Sequence, residues 1–255
     1  MPKTDTVFSK KNKNLLKMIK VSGLFKQING QVILDDINLE VKDGEILVVL
    51  GESGAGKSVL LKHLIGLLKP DRGRIEIDSA DIIKLSEPEL LKLRKGIGYL
   101  FQEAALYDFM NVYENIAFPL EEHTDLSEEE IARKIRDMLK LVGLEGVGAK
   151  YPVELSGGMR KRAALARAVI LGSKTLFCDE PTSGLDPIRS RDISNLIRDL
   201  SRQFRCTTVI ASHDIMNSFR IADRLALIHE GRLILTGTKK DFESSNDAFV
   251  REFCG

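Results

Sequence analysis

The sequence has no apolar segment long enough to cross a bilayer. A membrane-spanning helix needs about 20 consecutive apolar residues, and one of the most apolar runs, Ile46–Leu50, has only five. The amino-terminal lysines are not followed by the apolar core of a signal peptide. We therefore expect a cytoplasmic protein that has no membrane-spanning segment of its own.

Cysteine is scarce, and the few cysteines form no pattern. Cys178, Cys206 and Cys254 are odd in number, widely separated and unlike the spacing of a zinc site. We predict free thiols in a reducing compartment.

Excess charge of either sign is also missing, since 38 basic and 37 acidic residues leave a formal net charge of +1. A net charge this close to zero does not indicate the excess of basic residues that is typical of a nucleic-acid-binding protein. Only the beginning is locally basic, where Asp5 alone opposes Lys3, Lys10, Lys11, Lys13, Lys17 and Lys20. We favour a solvated tail for this segment; contact with a membrane surface is the alternative.

One motif stands out against these absences. It fits the pattern G-x-x-x-x-G-K-[ST] of a phosphate-binding loop, and it consists of Gly51, Glu52, Ser53, Gly54, Ala55, Gly56, Lys57 and Ser58, with Val59 next. Strand, glycine turn and helix N-terminus aim backbone N–H groups and the positive end of a helix dipole at one point. Lys57 adds a charge for the β- and γ-phosphates, and the Ser58 hydroxyl is a ligand for Mg²⁺.

The surrounding sequence predicts an α/β fold. Strand patterns at 176–178, 207–211, 224–228 and 232–235 alternate with helical patterns, which indicates a mostly parallel sheet with crossover helices. Upstream, the turn Lys42-Asp43-Gly44 predicts a hairpin between a strand at 31–41 and the phosphate-loop strand.

Residues 103–155 are poor in strand patterns and rich in helical ones. Helices are predicted at 112–118 and 127–141, and Ser127 with Glu130 forms a capping box at the start of the second. The segment therefore indicates a helical insertion in the α/β core.

An apolar strand ends in the carboxylates of Asp179 and Glu180. At the strand tip beside the phosphate loop, Asp179 is suited to hold Mg²⁺ through water. Glu180 faces another way, because side chains alternate along a strand. It is placed to act as general base on a water in line with the γ-phosphate.

A second glycine-rich helix start lies at 155–159, where Ser156 is placed as N-cap and Gly157, Gly158 and Met159 follow. Two glycines in a first turn cost roughly 1 kcal/mol each against alanine. Close approach of backbone to an anion explains their presence. A second contact with a nucleotide is therefore indicated.

These motifs together resemble the ATP-binding-cassette (ABC) ATPases over nearly the whole chain. The set occurs in the order phosphate loop at 51–58, Gln102, Leu155-Ser156-Gly157-Gly158, Asp179-Glu180, Ser183-Gly184-Leu185-Asp186 and Ala211-Ser212-His213-Asp214. The resemblance implies a P-loop NTPase of α/β class, with a mostly parallel sheet, an antiparallel β subdomain and an inserted α-helical subdomain.

The resemblance also sets the expected boundaries and ligands. The ATPase domain would span 18–240, with the helical insertion at about 103–172, a basic tail at 1–17 and a carboxyl-terminal tail at 241–255. It would bind ATP and Mg²⁺. In that family two cassettes face each other, so a homodimer with two composite ATP sites is implied.

Roles for further residues follow from the same resemblance. Gln102 would sense Mg²⁺ and the attacking water, His213 would contact the γ-phosphate and orient Glu180, and Asp186 would lie at the dimer seam. Met159 replaces the usual glutamine of the signature, for which altered dimer contacts are expected. The residue stacked on adenine is left open: Phe25 is the nearest candidate, Ile28 is the alternative, and a purely structural phenylalanine is the third reading.

Within the family the chain is most similar to the ATPase subunit of Mla-type lipid transporters. This narrower resemblance is carried by Leu100-Phe101-Gln102, Ala105-Leu106-Tyr107-Asp108, Met110-Asn111-Val112, Leu155-Ser156-Gly157-Gly158-Met159 and Val250-Arg251-Glu252-Phe253. It implies a peripheral motor on the cytoplasmic face of a bacterial inner membrane. The implied partners are a membrane permease, an MCE-domain protein and a STAS-domain regulator, and the implied cargo is phospholipid.

Two alternatives remain at this point. The same motor serves importers of amino acids, metals or lipoproteins in related systems. A soluble ABC ATPase acting on ribosomes or DNA is a different class, which the neutral charge, the single phosphate loop and the lack of zinc spacing or long heptads disfavour. No nucleic-acid partner is therefore expected.

Overall fold

The computed structural model describes residues 18–254. The basic segment expected at 1–17 lies outside the described residues.

Ten strands occur between residues 18 and 254. They cover Met18–Ile28 (β1), Gln31–Lys42 (β2), Ile46–Leu50 (β3), Arg72–Ile77 (β4), Ala80–Asp81 (β5), Ile97–Leu100 (β6), Thr175–Asp179 (β7), Thr207–Ser212 (β8), Arg224–His229 (β9) and Arg232–Gly237 (β10). Six of them form one sheet in the order β10-β9-β3-β8-β7-β6, which is parallel except for the edge strand β10. The remaining four form an antiparallel sheet in the order β2-β1-β4-β5.

The helices of the same residues surround the larger sheet. They cover Lys57–Leu64 (α1), Glu87–Arg94 (α2), Val112–His123 (α3), Glu128–Leu141 (α4), Gly157–Val169 (α5), Pro187–Phe204 (α6), Ile215–Ile221 (α7), Lys239–Glu243 (α8) and Ala248–Cys254 (α9). Two short 3₁₀ turns lie at Ile82–Lys84 and Pro152–Glu154. The α/β class, the mostly parallel sheet, the antiparallel sheet and the helical segment were all predicted, and they are confirmed.

The predicted hairpin between β2 and β3 is wrong. A turn does follow β2, with the Glu45 N–H donating to the Lys42 carbonyl oxygen at 3.2 Å. However, β2 pairs with β1, whereas β3 pairs with β8 on one side and β9 on the other. Both edges of β3 are occupied by parallel strands, so the turn joins two sheets and not two paired strands.

The six-stranded sheet is buried on both faces, as expected of a parallel sheet covered by helices. Along β3, Ile46, Val48 and Leu50 belong to one core, and Leu47 and Val49 belong to the other. Side chains alternate along a strand, so one strand supplies both cores. The first core includes residues of α3, α4, α5 and α6; the second includes residues of α1 and of the antiparallel sheet.

Helix ends follow local sequence signals. α1 ends at Leu64, because Gly66 has a φ of +69° and the Leu67 N–H donates to the Lys62 carbonyl oxygen at 2.9 Å. The capping box at α4 is confirmed, because the Ser127 N–H donates to Glu130 Oε2 at 2.9 Å.

The carboxyl-terminal segment is packed against the domain. The boundary expected between residues 240 and 241 falls inside α8, and Phe242 and Val250 are buried in the first core. None of the helices between residues 18 and 254 has both the length and the apolar character that crossing a membrane requires.

Candidate functional site

The phosphate-loop motif forms a tight turn between β3 and α1. Gly56, the residue that precedes α1, has a φ of +100°, and a Cβ there would lie 2.8 Å from the Ile33 carbonyl oxygen. At Gly51 a Cβ would lie 2.4 Å from the Ile228 carbonyl oxygen. Both positions therefore exclude a side chain, and β2 and β9 hold the loop from two sides.

Lys57 is buried and directed into the loop. Its ammonium group donates to the carbonyl oxygens of Gly51 at 2.8 Å and Glu52 at 2.9 Å, and it lies 3.1 Å from Glu180 Oε1. A buried ammonium group needs such partners, because it loses its hydration. The contacts place one positive charge at the centre of the turn.

Asp179 lies at the carboxyl end of β7, beside the start of α1. The Ser58 hydroxyl donates to Asp179 Oδ1 at 2.6 Å, and the Tyr99 hydroxyl lies 3.5 Å from Oδ2. Burial, followed by the charge of Asp179, raises the pKa of Tyr99 above its usual range. Tyr99 is therefore a neutral donor next to this carboxylate.

Glu180 follows β7 and leaves the strand geometry, with a φ of +44°. Its N–H donates to the Ala211 carbonyl oxygen at 2.9 Å, which fixes the residue to β8. The carboxylate lies between two partners: Oε1 is 3.1 Å from Lys57 Nζ, and Oε2 is 2.8 Å from His213 Nδ1. The side chains of Asp179 and Glu180 contact different partners. Because Glu180 lies outside the strand, the turn after β7 sets its direction and not the alternation of side chains along a strand.

Lys57, Glu180 and His213 line one cavity of about 540 Å³. Gln102 reaches it from the end of β6, with Nε2 at 3.5 Å from Ser183 Oγ. The structure brings nine of the predicted residues into this cavity, namely Ser53, Gly54, Gly56, Lys57, Ser58, Val59, Gln102, Glu180 and His213. Glu52 and Ala55 line an adjoining cavity of about 300 Å³, which shares Ile33, Ser53 and Gly54 with the first.

The second glycine-rich helix start lies elsewhere on the chain. Ser156 caps α5 by accepting from the Met159 N–H at 3.4 Å. Ser156, Gly158 and Met159 line a separate cavity of about 240 Å³, which shares no residue with the first. A Cβ on Gly158 would meet only Arg189 Cδ, at 3.8 Å, so packing inside one chain does not require glycine there.

Asp186 has a local structural role. It caps α6 by accepting from the Ile188 N–H at 3.1 Å and the Arg189 N–H at 3.0 Å. The hydrogen bond from the Arg189 N–H contributes most to lowering the pKa of this carboxyl group. Its side chain is exposed beside Arg189, at the end of the Ser183–Asp186 loop.

Phe25 is not brought to the site. Its ring lies under the Arg72 guanidinium group, 4.2 Å from the ring centroid, and it lines neither of the two cavities at the phosphate loop. The prediction that Phe25 contacts the adenine is therefore not supported. Ile28, the alternative, is exposed near the β1–β2 turn and also lies outside both linings. The residues of this region that do line them are Gln31, Val32 and Ile33.

Two residues next to the site were missed at the level of sequence. Lys161, on α5, is buried and contacts the carbonyl oxygens of Gln102 and Glu180. His229 has Nδ1 at 3.6 Å from Glu52 Oε2 and stacks on Phe249 of α9, with ring centroids 3.8 Å apart. Neither has a motif of its own, because the contacts join residues distant in sequence.

A groove of about 630 Å³ lies on the side of α5 that faces α2 and α3. Its lining is aromatic and basic, and includes Tyr99, Phe101, Tyr107, Phe118, Arg94 and Arg167. Arg167 donates to the Ala105 carbonyl oxygen at 2.7 Å and lies 5.6 Å from the Tyr107 ring centroid. The groove therefore directly adjoins the segment that follows Gln102.

Comparison with known proteins places this geometry in a family. The sequence profile described as ABC transporter matches residues 34–183. The probable ribonucleotide transport ATP-binding protein mkl of Mycobacterium leprae is 45% identical over 235 residues, which cover 92% of this chain and 68% of that protein. The chain thus spans about two thirds of the length of this mycobacterial relative.

Two further relatives are matched over much of their length. The intermembrane phospholipid transport system ATP-binding protein MlaF of Haemophilus influenzae is 41% identical over 242 residues, with 95% of this chain and 90% of that protein covered. The methionine import ATP-binding protein MetN of Campylobacter jejuni is 37% identical over 254 residues, with 93% and 76% covered.

A solved structure agrees with the fold. The dimeric, post-hydrolysis ATP-binding cassette MJ0796, bound to ADP and Pi, superposes with a TM-score of 0.79 and 30% identity, with 86% of this chain and 98% of that chain covered. The phosphate loop, the carboxylates of Asp179 and Glu180, and the glycine-rich start of α5 are thus found on the expected fold. This chain belongs to the ABC transporter family, as an ATP-hydrolysing subunit most like those of the MlaF and Mkl type.

Proposed function

We propose that the cavity at the phosphate loop is the catalytic half-site for ATP hydrolysis. Residues 51–59 bind the phosphates, and Glu180 is the general base for the attacking water. The observation that carries this proposal is the Glu180 carboxylate, held between Lys57 at 3.1 Å and His213 at 2.8 Å. His213 orients that carboxylate, and its exposed side chain is free to contact the γ-phosphate.

The oxygens beside Lys57 fit a magnesium ion. The Ser58 hydroxyl and Asp179 Oδ1 lie 2.6 Å apart, and hydroxyl and carboxylate oxygens are the ligands that Mg²⁺ prefers in nucleotide sites. Gln102, which lines the same cavity as Ser58, would supply an amide oxygen. When bound, Mg²⁺ offsets negative charge on the phosphates. Tyr99 holds Asp179 in place from the other side.

The complete site needs a second copy of the chain. Ser156, Gly157, Gly158 and Met159 form an N-terminal turn that shares no cavity with the phosphate loop of its own chain. In our proposal they bind the nucleotide held by the partner copy, and Asp186 lies at the seam. The exposed Ser156 and the lack of a packing reason for Gly158 support this arrangement, as does the dimeric relative MJ0796.

The groove beside α5 is proposed as the docking site for a membrane permease. It lies between the helical segment and β6, next to the loop that carries Gln102. The exposed aromatic side chains of Phe101 and Tyr107 line it, and the exposed Phe109 packs beside Tyr107. Gln102 lines the catalytic cavity, so a movement of the docked permease segment is transmitted to that cavity over a short distance.

Phospholipid transport is the proposed function of the assembled transporter complex. The likeness to MlaF extends over 90% of that protein, and the signature reads Leu-Ser-Gly-Gly-Met, as the Mla-type resemblance implies. Partners in this reading are the permease, an MCE-domain protein and a STAS-domain regulator, at the cytoplasmic face of a bacterial inner membrane. The similarity to MetN favours one second candidate, the motor of an amino-acid importer.

Purification of the intact complex tests this proposal. A tagged chain is isolated from detergent-solubilised membranes of its own organism, and the co-purifying proteins and lipids are identified by mass spectrometry. We expect a permease, an MCE-domain protein and bound phospholipid. A permease with a soluble solute-binding protein, and no MCE-domain protein, would overturn the phospholipid proposal in favour of the importer.

A further inference from the structure

Helix α5 carries a buried lysine, Lys161, one turn after its first residue. Lys161 is 5% exposed, although its neighbours Arg160 and Arg162 are more accessible. A buried ammonium group that lacks hydrogen-bond acceptors is strongly unfavourable. Its position therefore has to be explained by what the ammonium group contacts.

The contacts of Lys161 are two main-chain carbonyl oxygens. Its ammonium group donates to the Gln102 carbonyl oxygen and to the Glu180 carbonyl oxygen, the latter at 3.4 Å. These carbonyl groups follow β6 and β7, which are neighbours in the sheet. One side chain on α5 thus connects the two loops that carry the proposed water-sensing amide and the proposed general base.

The connected loops have backbone conformations that need support. Glu180 has a φ of +44°, and Ala104 and Ala105 have φ values of +64° and +50°. Residues other than glycine rarely adopt this region, so the surroundings must hold them there. Arg167, six residues after Lys161 on α5, donates to the Ala104 and Ala105 carbonyl oxygens at 3.2 and 2.7 Å. α5 therefore holds the 102–105 segment at both ends.

Lys161 lies in a buried setting that also holds negative charge. Burial lowers its pKa, while the nearby charges of Glu103, Asp179 and Glu180 raise it. The lysine has three N–H donors and no acceptor, so two carbonyl groups are suitable partners. A neutral, apolar side chain of similar length would leave both carbonyl groups without this donor.

We propose that Lys161 is a positioning residue, which keeps Gln102 and Glu180 in a fixed relation to helix α5. Since the exposed end of α5 is proposed to bind the partner's nucleotide, Lys161 links the engagement of one ATP site to the geometry of the other. This inference rests on the roles proposed above for Gln102 and Glu180. It assigns Lys161 no contact with substrate.

The test compares full-length K161M, K161R and K161Q with the wild type. Methionine keeps the length and burial of the side chain but removes the donor, whereas arginine and glutamine both retain N–H donors. We expect K161M to bind ATP with a KM within about two-fold of the wild type and to lose roughly 10²-fold in kcat, because displacement of a catalytic group by about 1 Å has effects of that size. At least one of the donor variants should recover most of the loss.

Three results decide the inference. Equal thermal stability and nucleotide-binding stoichiometry in K161M show that the loss is not one of folding. Wild-type kcat in K161M, or a loss that neither arginine nor glutamine reduces, would overturn the positioning role. E180Q is measured alongside: if E180Q hydrolyses ATP normally the proposed base is wrong, whereas inactive E180Q with normal K161M refutes only the Lys161 inference.

Discussion

At the scale of single residues, Glu180 concentrates the chemistry of the site. The residue is only 8% exposed, and its carboxylate has a cation on one side and an imidazole on the other. Lys57 and His213 restrain the direction of the carboxylate from the walls of the active cavity. This arrangement suits a base that must meet a water molecule in one orientation.

Glu180→Gln removes the base and keeps the shape of the side chain. We expect ATP binding to persist and hydrolysis to fall by roughly 10²–10⁴-fold, the usual contribution of a general base. The ATP-bound dimer should then accumulate. Phosphate release and size-exclusion chromatography with ATP measure both effects, and unchanged turnover would reject Glu180 as the base.

His63 offers a separate residue-scale prediction, on stability. The side chain is fully buried in α1, its Nδ1 lies 2.7 Å from the Val59 carbonyl oxygen, and Nε2 has no partner within the described residues. Burial lowers its pKa from 6.5. The unfolded chain therefore binds a proton at a pH where the folded chain does not, and the stability contribution that is complete above pH 6.5 is lost as the pH falls toward the lower folded pKa.

The variant His63→Leu checks this sign. It fills similar space without a titrating group, so its free energy of unfolding should decrease less between pH 7.5 and 5.5 than that of the wild type. Urea unfolding at the two pH values measures the difference, with the carboxylates common to both chains as the internal reference. An equal decrease in both proteins would exclude His63 as the source.

At the scale of elements, α5 connects a partner-facing end with the catalytic loops. Its cap residue Ser156 is exposed, and the Ser156 hydroxyl accepts a hydrogen bond from the Met159 N–H in the first turn of the helix. Loss of an N-cap costs about 1 kcal/mol, so a change there should leave the fold intact. The end of the helix is therefore open to a test of the two-chain site.

We expect Ser156→Arg to abolish ATP-driven dimerisation, because a bulky cation would stand where the partner's nucleotide is proposed to bind. Ser156→Ala loses the same cap without adding bulk, and it is the control for stability. Analytical ultracentrifugation of both variants in the E180Q background, with ATP, measures the outcome. Dimer formation by Ser156→Arg at wild-type ATP concentrations would rule out the composite site.

Most elements could be predicted because local signals determine their ends. The strand–loop–helix at 46–64 and the capping box of α4 have signals within a few residues. The β2–β3 hairpin was predicted wrongly, since strand pairing depends on distant partners that a local turn does not reveal. α3 continues past Pro119 to His123, because burial of Ile116 and Leu120 outweighs the lost hydrogen bond.

At the scale of the whole molecule, the residues of the phosphate loop were predictable and their supports were not. Motif spacing placed the phosphate loop near Asp179 and Glu180. The structure shows Ser58 Oγ 2.6 Å from Asp179 Oδ1, and Lys57 Nζ 3.1 Å from Glu180 Oε1. Lys161 was hidden in the run Arg160-Lys161-Arg162, which reads as a solvated basic face. Adenine contact could not be assigned from Phe25 either, because the stacking of Arg72 on its ring depends on the β1–β4 pairing.

Helix α9, near the carboxyl end, contacts the phosphate loop through His229. The Phe249 ring stacks on His229, and His229 lies beside Glu52 of the loop. Cys178 and Cys206 are buried, so a thiol-directed dye would react at Cys254, in the same last helix. The fluorescence of such a dye would report whether that helix stays packed against the domain while ATP binds and its products leave. For the same reason, fluorescent fusions and affinity handles for this motor belong at the opposite terminus.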